Sequence, residues 1–221
     1  MDRMWTRGAV LVAVLVASPA TWAGGDEVAW LKEHAVPLRS IDPADDDFAD
    51  LEAVGRWIGD ARIVGLGEQT HGDGATFLAK CRLAKYLHQE KGFDVIAFES
   101  GLYDCREAWK AFQDAKLGPV DAASEGVFGI WTRSAQVKPL FDYIAAQAAS
   151  KRPLELCGFD SQLTGRASKR LGDDLEAAAT SAGHPLDAKN AAAVRAMLRV
   201  LGDSEIKPTT TALQEGDDAL A

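Results

Sequence analysis

No stretch of this sequence concentrates positive charge: 24 Lys and Arg are outnumbered by 33 Asp and Glu, for a formal charge of −9. Nucleic-acid binders carry a local cationic footprint, and anionic membrane surfaces attract basic patches, so neither is an expected partner. Cysteine is scarce as well. Cys81, Cys105 and Cys157 cannot all pair within one chain, and none of their spacings makes a CxxC motif. Cys81 lies on a helical apolar stripe and Cys157 in an apolar run, so small buried thiols are the simpler reading, and neither a disulfide nor a nucleophilic thiol is assigned. Phosphate-binding loops are missing too. Gly65-Leu66-Gly67 opens a dinucleotide pattern, but Thr70 stands where its third glycine belongs. Gly67 to Gly72 has the spacing of a Walker loop, yet Asp73-Gly74 replaces the Lys-Ser/Thr that would hold phosphate.

What is present is a globular composition, 47% hydrophobic and 26% charged over 221 residues. The N-terminus differs from the rest. A short start with Arg3 and Arg7 precedes the apolar run 8–17 (GAVLVAVLVA), and small residues follow up to Ala23. This is the pattern of a secretory signal over residues 1–23, too short for the roughly 20 apolar residues of a spanning helix. The expectation is an exported protein, periplasmic or secreted, with no membrane contact after cleavage. No later stretch is long and apolar enough to cross a bilayer.

Three apolar runs organise residues 24–221: 62–66 (RIVGL), 94–98 (DVIAF) and 154–159 (LELCGF). Near-continuous apolarity predicts parallel strands covered on both faces. Between the first two, residues 73–91 carry Phe77, Cys81, Ala84 and Leu87 on one helical stripe and end at Gly92. Strand, helix and strand make a right-handed βαβ unit. Further helices are predicted near 27–34, 47–58, 104–116, 139–149, 171–181 and 187–201. The fold class is therefore α/β, a parallel β-sheet flanked by helices. The acidic run 41–50 lacks the spacing and glycine of a calcium loop and reads as a solvated loop.

Ligands of open parallel sheets bind beyond the carboxyl ends of the strands. Just past the three runs stand Gly67-Glu68-Gln69-Thr70-His71-Gly72, Glu99-Ser100-Gly101 and Asp160-Ser161-Gln162. One strand-end carboxylate is as often a helix cap, but three, with a histidine among glycines, point to a site. His71 suits proton abstraction from water, and Glu68 or Glu99 could hold its other ring nitrogen. Lys80 falls on the apolar side of its helix, away from Arg82, Lys85 and Gln89, and so aims at the same cleft unless it snorkels. His34, His88 and His184 have no comparable setting and read as surface residues.

At these residues the chain resembles the erythromycin esterase family. The G-E-x-T-H-G loop matches at Gly67, Glu68, Thr70, His71 and Gly72, and the following basic residue at Lys80. The G-F helix stop matches at Gly92-Phe93, the F-E strand end at Phe98-Glu99, and G-F-D-x-Q at Gly158, Phe159, Asp160 and Gln162, with Trp131 matching an earlier tryptophan. The resemblance spans residues 47–162. It implies a cofactor-free hydrolase in which His71 is the general base on water, supported by Glu68, Glu99 and Lys80. The substrate would be a macrolide lactone, as in antibiotic resistance, or a related small-molecule carboxylic ester, held by Trp131, Asp160 and Gln162. No covalent serine intermediate is implied, in keeping with the missing G-x-S-x-G elbow. The resemblance also implies that residues 24–221 form the N-terminal half of the usual family domain, whose later half brings another histidine. His184, in a Gly-His-Pro turn, does not match that later element.

Two other readings stay open. Glu68, His71, Glu99 and Asp160 are also donors that suit a divalent metal such as Zn²⁺ or Mn²⁺, giving a metal-dependent hydrolase or a metal-binding exported protein. The other is an inactive, truncated binding module. The leader carries the first prediction: N-terminal sequencing of protein from an export-competent host should start at Gly24, and an intact Met1 on cytoplasmic protein would refute it.

Overall fold

The computed structural model describes residues 26–202 apart from Gln69 and Thr164, so the expected leader at 1–23 lies outside the described residues. Contacts divide the chain into Met1–Pro37 and Leu38–Ala221. In the first unit, helix α1 (Asp26–His34) stacks the His34 ring on Trp30 at 4.5 Å, and His34 Nδ1 donates to the Trp30 carbonyl at 2.8 Å. His34 is exposed there, as its sequence setting suggests. No helix of the described residues is long and apolar enough to cross a membrane.

The second unit is built on a parallel pair of strands, β1 (Val95–Gly101) and β2 (Glu155–Asp160), close to where two of the apolar runs place them. Val95 pairs with Glu155 and Phe98 with Gly158, and a register shift then sets Gly101 opposite Asp160. Four helices fill the connection: α4 (Leu102–Asp114), α5 (Pro119–Ala123), α6 (Gly129–Thr132) and α7 (Lys138–Gln147). Ile96, Phe98 and Leu156 face a core that includes Phe77, Phe112, Phe141 and Ile144. Phe141 and Ile144 have no exposed surface, and burying such side chains stabilises by about 1.5–3 kcal/mol each.

Two expectations about the sheet fail. Residues 62–66 form no strand; Ile63 is 89% exposed, while Val64 and Leu66 pack on a second cluster of Phe48, Leu51, Tyr86 and Leu87. An apolar run becomes a strand only when a neighbour takes up its backbone N–H and C=O groups, and none of the described strands does. Nor do the described residues cover the sheet on both faces. Exposure alternates along both strands, leaving Val95 51% and Phe159 69% exposed on the side away from the core.

Helix α2 (Glu52–Ile58) precedes the unpaired run, and α3 (Gly74–Lys91) follows it. Asp73 caps α3, its carboxylate accepting from the Ala75 and Thr76 amides at 3.0 and 3.3 Å. Gly92 ends the helix in the left-handed conformation, φ 79°, which glycine adopts without a Cβ clash. Phe77, Cys81 and Ala84 enter the main core, and Tyr86 and Leu87 the second one. Burial pushes the Cys81 thiol up to about 11 and the Cys105 thiol up to about 12, which suits inert core cysteines. Helices α8 (Leu171–Ser181) and α9 (Ala188–Gly202) pack on each other, with His184 exposed between them.

Arg82 and His88, read from sequence as polar-face and surface residues, are buried at 1% and 3% exposure. The Arg82 guanidinium pairs with Asp50 at 2.7 Å and donates to the carbonyls of Ser40, Asp45 and Asp47. It thereby straps the 40–50 segment onto α3. His88 accepts from the Tyr143 hydroxyl at Nδ1 (2.6 Å) and donates from Nε2 to the Arg152 carbonyl (3.1 Å), the pattern of a neutral imidazole.

Removing one member of a buried ion pair strands the other charge, at about 3–5 kcal/mol. Arg82→Met should lose that much in urea unfolding, and Arg82→Met/Asp50→Leu should recover part of it; a loss below about 1 kcal/mol would show the strap to be no more than a surface pair. Burial lowers the pKa of His88, so below its unfolded value of about 6.5 the unfolded chain binds the extra proton more readily. Its contribution to stability is present above that pH and is lost as the pH falls through it. The thermal midpoint should drop between about pH 7.5 and 5.5, and His88→Gln should flatten the drop.

Candidate active site

The loop from Gly67 to Gly72 links the unpaired 62–66 segment to α3 and ends on the Asp73 cap. Gly72 N–H turns back on the Thr70 hydroxyl at 3.4 Å. Within this loop Glu68 is the hub: one carboxylate oxygen takes His71 Nδ1, and the other accepts from Lys80 Nζ at 2.8 Å. The Glu68 side chain is only 13% exposed, which strengthens both interactions, whereas His71 is 53% exposed to solvent. A carboxylate on Nδ1 requires the proton there, so in the neutral imidazole Nε2 carries the lone pair. That is the tautomer of a general base.

Lys80 does not snorkel. It lies on the second turn of α3 with its ammonium 5.4 Å from the Phe77 ring centre and 5.8 Å from that of Trp131, within cation–π range of both. Trp131, on α6, meets the His71 ring edge-to-face at 5.4 Å and also packs on Phe77 and Phe98. Glu68, His71, Lys80 and Trp131 therefore form one cluster. The Trp131 Nε1–H is buried with no acceptor among the described residues. Such an orphan costs about 1–3 kcal/mol, so packing of the ring holds this side chain in place.

Among the described residues, none of the other predicted residues is hydrogen-bonded or ion-paired to this cluster. Glu99 is exposed near the end of β1, on the strand face opposite Phe98, and has no hydrogen bond or ion pair to another described residue. Asp160 accepts from the backbone and side-chain nitrogens of Gln162 at 3.1 and 3.0 Å, closing the turn after β2. Among the described residues no three His, Cys, Asp or Glu side chains gather as a metal site. Glu68 and His71 supply two donors, and neither Glu99 nor Asp160 is bonded to them.

Sequence reasoning missed Ser100 and Asp104, both without exposed surface. Ser100 Oγ accepts from the Phe128 amide at 2.9 Å, fixing the start of α6. The Asp104 carboxylate accepts from the amide and hydroxyl of Ser168 at 2.6 and 2.5 Å. The glycines were the available signal. A Cβ at Gly126 would lie 2.0 Å from the Asp104 carbonyl, and one at Gly165 would lie 2.6 Å from its carboxylate.

Residues 88–219, more than half of the chain, match the erythromycin esterase family. YbfO of Bacillus subtilis, which is named as a hydrolase, is 38% identical over 133 residues, covering 60% of this chain and 28% of YbfO. Erythromycin esterase type II of Escherichia coli is 35% identical over 72 residues, covering 33% of this chain and 17% of that enzyme. A crystal structure of a Bacillus cereus protein superposes with a TM-score of 0.70 at 25% identity, over 88% of this chain and 47% of the other. The crystal structure of a succinoglycan biosynthesis protein gives 0.71 at 22% identity, over 90% of this chain and 50% of the other, a likeness of fold. The chain thus spans half or less of each of these proteins.

Proposed function

The chain belongs to the erythromycin esterase family, and from that membership we propose that it carries the water-activating part of a hydrolase acting on carboxylic esters, with a macrolide lactone as the substrate class. The observation that carries this reading is the Glu68 carboxylate shared between His71 Nδ1 and Lys80. His71 Nε2 takes a proton from water, whose oxygen attacks the ester carbonyl. The imidazolium that forms is stabilised by the Glu68 carboxylate, while the ion pair with Lys80 keeps that carboxylate aimed. Returning the proton from His71 to the leaving alkoxide opens the ester, or the ring of a lactone, and restores the neutral base. Glu99, Asp160 and Gln162 are assigned to the strand-end side of the substrate. The names of two relatives, a hydrolase and an erythromycin esterase, support the reaction class. The leader-like residues 1–23 support an exported location.

The test is hydrolysis of an activated carboxylic ester and of a macrolide lactone by the full chain. His71→Asn should lose about 10²–10⁴-fold in kcat, the usual share of a general base. Glu68→Gln should lose a comparable factor, and the double variant little more, because the two act as a unit. Lys80→Met should lose less. Ester hydrolysis at the parental rate in His71→Asn would overturn the base assignment. Activity lost on chelation and restored by Zn²⁺ or Mn²⁺ would move the reaction to a metal.

A further inference from the structure

His71 sits on a loop, outside any helix or strand, with about half of its side chain in solvent. Among the described residues two contacts orient its ring: the Glu68 carboxylate at Nδ1 and the edge-to-face packing on Trp131. The first fixes one atom and leaves the ring free to swing about it. A swing of an ångström at Nε2 is enough to misplace a base relative to its water. Only the second contact ties the ring to the core, because Trp131 is 8% exposed and packs on Phe77 and Phe98. The same indole lies within cation–π range of Lys80, so one ring touches both partners of Glu68.

We propose that Trp131 is a positioning residue, acting through His71 and Lys80: its indole is the wall that holds both in register on Glu68. The role rests on the hydrolytic reading, and it extends the part that the family resemblance implies for Trp131, contact with substrate. Two observations support it independently of activity. The indole N–H has no acceptor among the described residues, so the ring is kept for its faces and edges. Its carrier is itself pinned, since Ser100 Oγ at the end of β1 accepts from the Phe128 amide, and the Phe128 carbonyl accepts from Trp131 N–H at 3.0 Å. A rigid line thus runs from strand to helix α6 to indole to imidazole. Reacting groups held by locked neighbours are the arrangement that preorganised catalysis needs.

The test joins NMR of the full chain with kinetics. His71 ring signals, identified by their loss in His71→Asn, should show NOEs to the Trp131 ring. Trp131→Phe should keep NOEs from His71 to the new ring and lose less in kcat than Trp131→Leu. Trp131→Leu should abolish them, sharpen the His71 signals as the ring gains freedom, and lower kcat by about 10²-fold with KM little changed. Should Trp131→Leu fail to fold, Ser100→Ala carries the same test, with NOE intensity and kcat falling together. Absence of the His71–Trp131 NOEs in the folded parent would overturn the proposal. So would parental kcat in a folded Trp131→Leu chain, or a Trp131→Phe chain as impaired as Trp131→Leu. If the parent hydrolyses no ester, the hydrolytic reading fails by itself, and the NOEs and His71 line widths still decide whether the indole holds the imidazole.

Discussion

A guanidinium almost without access to water has to be surrounded by acceptors, and Arg82 is. Asp50 supplies charge, and the carbonyls of Ser40, Asp45 and Asp47 take up the remaining N–H groups. Taking an ion pair out of water is costly, so the gain lies less in net energy than in uniqueness: only one seating of the 40–50 segment on α3 satisfies this fork. Helix α3 is thereby fixed between two apolar clusters, and it carries Lys80 on one face and starts three residues after His71. The geometry of the candidate site follows from where this helix is held.

The site itself economises on secondary structure. A loop of small residues presents Glu68 and His71, a helix presents Lys80, and a four-residue helix presents Trp131. What makes the loop specific is that the carboxylate has two partners of different kinds. The ammonium pairs with one Glu68 oxygen and fixes its direction; the imidazole is the partner whose charge can change during a reaction. Glu68 is nearly buried while His71 reaches solvent, so the stabilising charge is dry and the reactive nitrogen is wet.

Local signals were legible in the sequence, and distant ones were not. The Asp73 cap, the Gly92 stop and the apolar stripe between them specify α3 almost to the residue, since caps and periodicity act over a few positions. The runs at 94–98 and 154–159 became strands because each supplies the other's ladder, and Lys80 turned inward as its place on the stripe implied. The run at 62–66 has the same apolarity and no ladder partner, which composition cannot reveal. Arg82 and His88 read as surface residues because what buries them is remote in sequence: Asp50 for one, Tyr143 and Arg152 for the other. Glu99 shows the converse limit. Strand-end position put it beside the site in one dimension, but the alternation of a strand turns its side chain away from the face that Phe98 shares with Trp131.

The parallel pairing of β1 and β2 sets an order of assembly. The strands cannot meet by a hairpin; everything from Leu102 to Leu154 must first be looped out and folded back, with α4 to α7 inside that loop. Loop closure of that kind is entropically slow, whereas the contacts within α3 and its caps are local and form quickly. The Glu68–His71 loop and the turn of α3 that carries Lys80 are close in sequence and belong to the fast, local part. Trp131 is delivered later, because α6 is anchored through Ser100 to the end of β1. Competence of the cluster is thus a late event in the life of the chain, reached only when the slow, long-range part of the fold closes over the fast, local one.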